Sequence, residues 1–183
     1  MQTHHDGDFG DYDAIASFDR LAMSLMIPLA LRVGAVLSHA VCCYNIFQAM
    51  EYSISTGHGI SPFTYTSTAA HRLQGSGQGG SQSPILCTNI SHVILDAVDE
   101  EGHPISLDHP LDHSEWRAIR YSDQFVDDQS NGAVYPGDDA EECTRKLEIN
   151  ANLSNSLLNA SGGGDNFLKS FWYLVEQVPE DGA

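Results

Sequence analysis

The chain has 183 residues, 42% of them hydrophobic and 18% charged, so it can bury a core and does not have a disordered composition. Its 25 acidic residues face only 8 basic ones, leaving a formal net charge of −17. That balance argues against a general nucleic-acid backbone binder and against a protein held electrostatically on a membrane.

In chain order, residues 1–13 read as an acidic N-terminal arm, and residues 14–183 as a single α+β domain. Asp11 or Asp13 is placed to cap a helix beginning near Ala14, with Ile15, Phe18, Ala22 and Leu25 on one apolar face. Pro28 kinks that helix or opens the next. A second helical stretch is expected from Leu29 to Ser55. Its polar stripe, Ser38, Asn45, Gln48 and Tyr52, is too narrow for a helix with one exposed side. A buried helix pair is favoured over a membrane span across Leu21 to Met50, because Pro28, Arg32 and His39 interrupt the apolar run. Gly57 and Gly59 end the helix.

Residues 62–70 alternate Thr with aromatic residues and read as a strand. Residues 74–83, QGSGQGGSQS, read as a flexible loop. PILCTNISHVILDAV, Pro84 to Val98, gives the strongest strand signal, and Ile105 to Leu107 is its partner after a turn. Residues 115–121 are compatible with strand or helix. A short strand is expected at 133–135, a short helix from 138 to about 147, and a closing strand over 167–178. The sum is helices followed by a mainly antiparallel sheet, an α+β fold.

Cys42, Cys43, Cys87 and Cys143 form no C-x-x-C pair; Cys42 and Cys43 read as small buried residues, and a Cys87–Cys143 disulfide is an open alternative. The polar start of the chain is not a signal peptide, which favours a cytoplasmic or virion location.

Two clusters carry chemistry. His103, Asp108, His109, Asp112 and His113 offer imidazole and carboxylate ligands for a divalent metal. Pro110 opposes the helix that would align the two Asp-His pairs, and no zinc-protease spacing is present. The arm residues Asp6, Asp8, Asp11 and Asp13 supply hard oxygens suited to calcium, but the order of an EF-hand is inverted. No nucleophile elbow is found.

Two functional readings follow. The leading one is a non-catalytic structural or assembly subunit, a virion component of a halophilic or acidic-proteome system. Other protein subunits are its partners, and no nucleic acid or membrane is expected. Its interface residues are Val33, Val36, Leu37, Val41, Phe47 and Met50, the surplus apolar face of the long helix. No catalytic residue and no cofactor beyond a divalent metal is expected in it. The alternative is a small metal-dependent enzyme, or a metal-binding module, using the His103–His113 cluster.

Overall fold

A computed structural model describes residues 7–14, 20–68, 70, 74–75, 83–108, 117–125, 128–135 and 137–175. The chain divides into two compact units, residues 16–90 and residues 1–15 with 91–183. The described elements confirm the α+β class, with helices and antiparallel sheets.

In the first of these units, a 3-10 turn at Met23–Leu25 leads into α1 (Met26–Arg32), α2 (Leu37–Ala49) and a hairpin of β2 (Glu51–Thr56) with β3 (Gly59–Thr66). Pro28 lies inside the first turn of α1, where its missing N–H costs nothing. The single helix expected from Leu29 to Ser55 is broken twice. Gly34 adopts φ 86°, a left-handed conformation that ends α1, and Val36 is extended before α2 starts. From Glu51 the alternation of Tyr52, Ile54 and Thr56 forms a strand, and Tyr52 stacks on Tyr65 with ring centroids 5.3 Å apart. Phe47 is buried at 6% exposure, whereas Val33, Val36, Leu37, Val41 and Met50 are exposed.

The segment from Pro84 to Val98 is helical, a correction to the strand expected there. It lies in α3 (Ser83–Glu101). Leu86, Ile90, Ile94 and Val98 are buried at steps of four, the period of a helix face rather than a strand face. The β-branched content suggested a strand, but burial follows the helical spacing.

The second unit is built on a four-stranded antiparallel sheet in the order β6–β7–β1–β8. Its strands are β1 (Gly7–Asp13), β6 (Ser122–Phe125), β7 (Asp128–Ala133) and β8 (Phe171–Val175). A separate hairpin pairs β4 (Ile105–Asp108) with β5 (Arg117–Arg120). The segment read as an acidic arm is therefore, from Gly7 onward, an interior strand of this sheet. Asp8 faces one side of the sheet and Asp11 and Asp13 the other, a period-2 pattern hidden by their uniform charge.

One face of the sheet is covered by α4 (Ala140–Ala160), which is much longer than the short helix expected there. The Asp139 side chain caps it by accepting the Glu142 N–H at 2.9 Å. Its buried Cys143, Leu147, Asn150 and Ser154 recur along one helix face. Ser154 Oγ accepts from Gln129 Nε2 at 2.9 Å, tying α4 to β7. Cys87 and Cys143 are both buried thiols. Among the described residues no helix is long and apolar enough to cross a membrane.

Candidate active site

The sheet face away from α4 carries the side chains of Phe9, Asp11 and Asp13 from β1 and of Asp128 and Ser130 from β7. Direct antiparallel partners share a face, and the register pairs Asp13 with Asp128, Asp11 with Ser130 and Phe9 with Gly132. β1 also pairs with β8, so Tyr173 and Phe171 join this face opposite Phe9 and Asp11. Two carboxylates from distant parts of the sequence thus stand directly opposite each other at one end of the sheet.

The segment after α4 fixes that end. The Asn166 N–H donates to the Asp13 carbonyl at 2.7 Å, and Asn166 Nδ2 donates to Asp13 Oδ2 at 3.2 Å. The N–H groups of Lys169 and Ser170 both donate to the Asn166 carbonyl at 2.9 Å, forming a turn. The Asp13 N–H in turn donates to Ser170 Oγ at 3.3 Å. This turn sets Lys169 Nζ 3.2 Å from Asp13 Oδ2. A cleft of about 280 Å³ results, lined by Asp11, Asp13, Asp128, Ser130, Lys169 and Phe171 among others. Ser130 Oγ donates to Asp11 Oδ1, so one oxygen of Asp11 is already engaged.

A second cleft, of about 200 Å³, lies farther along the same face and includes Phe9, Ile105, Arg120, Asp123 and Tyr173. Gly132 is needed here. A Cβ on it would stand 2.5 Å from Ile105 Cδ1 and 3.1 Å from the Phe9 ring. Arg120 is paired with Asp123.

The opposite face of β1 has different electrostatics. The Tyr12 hydroxyl is pushed up to about 12, first by burial and then by the negative charges of Asp165, Asp8 and Asp11. A folded-state value above the usual 10 means that Tyr12 favours the fold while it is protonated. This contribution is complete below about pH 10 and is lost as the pH rises towards 12. Spectrophotometric titration is expected to show one phenol ionising about two pH units above the usual phenol value of about 10, and Tyr12→Phe removes that step. A Tyr12→Phe titration superimposable on the wild-type curve would contradict this.

Of the metal-ligand cluster expected at His103, Asp108, His109, Asp112 and His113, only His103 has a described side chain. His109, Asp112 and His113 lie outside the described residues, and Asp108 is described only as the last residue of β4. The His103 backbone is held by Asn150, and its imidazole is pushed below its usual value by burial and by Lys146 and Arg145. Among the described residues no three His, Cys, Asp or Glu converge as a metal site. In the other cluster, Asp6 lies outside the described residues. Asp8 is buried on the α4 face while Asp11 and Asp13 share the open face, so the alternating strand separates the carboxylates expected to gather round one calcium.

The sequence pattern places Asp13 at a helix start and singles out nothing at Asp128, so the pair is not legible from it. A weak signal was present: a doubled aspartate between short strand-like segments, with a second acidic strand elsewhere.

No protein-family model and no curated protein matches the sequence. Solved structures do. An apo telomerase chain from Candida tropicalis, truncated from its C-terminal domain, superposes with a TM-score of 0.61 at 14% identity, covering 96% of this chain and 32% of that one. Telomerase from Candida tropicalis in complex with the TWJ fragment of telomeric RNA gives 0.61 at 15% identity, over 95% of this chain and 27% of that one. The corresponding complex from Candida albicans gives 0.56 at 14% identity, over 93% and 28%. The chain spans about a third of the length of the telomerase chains it matches, or less. This likeness corrects the reading as a structural, virion-associated subunit of a halophilic system, and with it the expectation of protein subunits rather than nucleic acid as partners. The net charge of −17 argues against nucleic acid only where binding requires a basic surface. The chain shares its fold with these telomerase chains, two of them solved with telomeric RNA.

Proposed function

We propose that this chain is the catalytic core of a nucleic-acid-directed nucleotidyl transferase, an enzyme of the polymerase type that works with divalent cations. The observation that carries the reading is the direct cross-strand pairing of Asp13 with Asp128 at the open end of the sheet. It is supported by a fold shared with telomerase chains solved with RNA.

Nucleotide addition joins a strand's 3′ hydroxyl oxygen to the α-phosphorus of a nucleoside triphosphate and releases diphosphate. The Asp13 and Asp128 carboxylates would hold divalent cations, which would supply positive charge against the negative charge developing on the transferring phosphoryl group. The residues present fit such ions. Asp13 and Asp128 offer hard carboxylate oxygens from facing positions, and Asp127 precedes Asp128 in the sequence. Among the described residues the contacts to the Asp13 carboxylate, from Lys169 and Asn166, fall on Oδ2 and orient the group. Lys169, paired with Asp13 at 3.2 Å, places an ammonium at the same edge, where it would donate to phosphate oxygens.

The test is extension of a primer annealed to an RNA template, with nucleoside triphosphates and Mg²⁺ or Mn²⁺. Titration calorimetry with Mn²⁺ on the wild type and on Asp13→Asn with Asp128→Asn runs beside it. The reading expects extension, together with Mn²⁺ binding that the double substitution removes. Strand cleavage in place of extension, or Mn²⁺ binding indifferent to both substitutions, overturns it.

A further inference from the structure

Resting on the nucleic-acid reading above, we propose that the aromatic face formed by Phe9, Tyr173 and Phe171 is a base-stacking platform. Its occupant is single-stranded nucleic acid, whose bases lie on the rings beside the Asp13–Asp128 end of the sheet.

The rings form a ladder across β1 and β8. Phe9 and Tyr173 are stacked with centroids 5.5 Å apart and 20° between planes, and Phe171 follows at 6.4 Å from Tyr173. Phe171 and Tyr173 are 58% and 47% exposed, so the ladder is a surface feature. On the β1 side the rows run Phe9, Asp11, Asp13, and on the β8 side Tyr173 and Phe171 stand opposite the first two. The platform is thus continuous with the carboxylate end.

Charge chooses the occupant. Asp11 stands directly opposite Phe171, with Asp123 and Asp128 on the neighbouring strands. An apolar protein segment laid over the rings would bury Asp11 without replacing its water, which is costly. A phosphate backbone laid there would be repelled. A nucleobase answers both constraints, because its π face covers the rings and the N–H groups on its edge donate to a carboxylate. Among the described residues two cations line the clefts of this face, Lys169 paired with Asp13 and Arg120 paired with Asp123, where the flanking phosphates would fall.

The probe is an oligocytidylate, whose exposed amino groups suit the carboxylates, compared with an abasic ribose-phosphate oligomer of equal length. Binding to the full chain is measured by fluorescence anisotropy at raised salt, where phosphate contacts are weakened. The wild type is expected to bind oligocytidylate at least about tenfold more tightly than the abasic strand, given the usual worth of base–aromatic stacking. Phe171→Leu with Tyr173→Leu, which keeps apolar cover on the sheet, is expected to abolish that difference while leaving abasic binding and the thermal midpoint unchanged. Equal affinity for the two strands, or a difference that survives both substitutions, overturns the platform. The outcomes separate the two proposals. Ring-dependent binding without primer extension removes only the polymerase reading, and extension with ring-independent binding removes only the platform.

Discussion

Asp13→Asn is expected to reduce divalent-cation-dependent primer extension by about a thousandfold, equivalent to about 4 kcal/mol of transition-state stabilisation. The amide is isosteric, so the strand and its pairing are kept while the charge that would hold a cation is lost. Asp128→Asn is expected to do the same. The double variant is expected to be no worse than either single one, because groups serving one cation site act as a unit. Asp11→Asn is the control with a smaller loss, since Asp11 already accepts from Ser130. Stability moves the other way. Two carboxylates directly opposed across a ladder repel each other without cations, and the Lys169–Asp13 pair is too exposed to offset this. The Asn variants are therefore expected to melt no lower than the wild type in a chelator. Full activity in Asp13→Asn, or a collapse in its melting temperature, would remove the assignment.

Asn150→Leu is expected to cost about 3 kcal/mol. Asn150 is fully buried on α4, where its Oδ1 accepts the His103 N–H at 2.7 Å and its Nδ2 donates to the His103 carbonyl at 2.8 Å. Nδ2 also reaches the Gly132 carbonyl at 3.4 Å. One side chain therefore satisfies the chain entering β4 and touches β7, the strand that carries Asp128. Leucine fills the space but leaves an N–H and a carbonyl unpaired in the interior, each costing about 1–3 kcal/mol. For a chain of this size the melting temperature is expected to fall by about 6–12 °C. A change within about 2 °C would show that water or a shifted backbone satisfies both groups without Asn150.

Local sequence was sufficient for several elements. Residues 62–66 of β3, the strand at 105–107 and the closing strand at β8 overlap the segments read from residue pattern, although β4 pairs with β5 and not with the helical 84–98 segment. The α+β class followed from them. Each of these depends on side-chain period and turn residues, which act over a few positions. Where local signals conflict, the local pattern alone does not decide the element. Pro84 to Val98 has strand-like composition but helical apolar spacing, and burial on the helical face decided it. Leu29 to Ser55 has helical composition, but the left-handed Gly34 and the Tyr52–Tyr65 pair cut it into helix and hairpin.

The candidate site was not legible, for a different reason. Asp11 and Asp13 look like solvated acids beside a helix start, and Asp128 looks like a turn residue. The doubled aspartate at 127–128 is the one weak local sign of them. Their meaning comes from register: β1 is inserted between β7 and β8, and that pairing alone sets Asp13 opposite Asp128 and Phe9 opposite Tyr173. Strand pairing between distant segments is fixed by which faces must be buried under α4, with Gln129 and Ser154 joined across it. Composition and spacing thus determined the class of fold and several of its pieces. Only the tertiary structure decided which carboxylates and rings share one face, because a one-residue slip in β1 would turn Asp13 under the helix and bring Asp8 out.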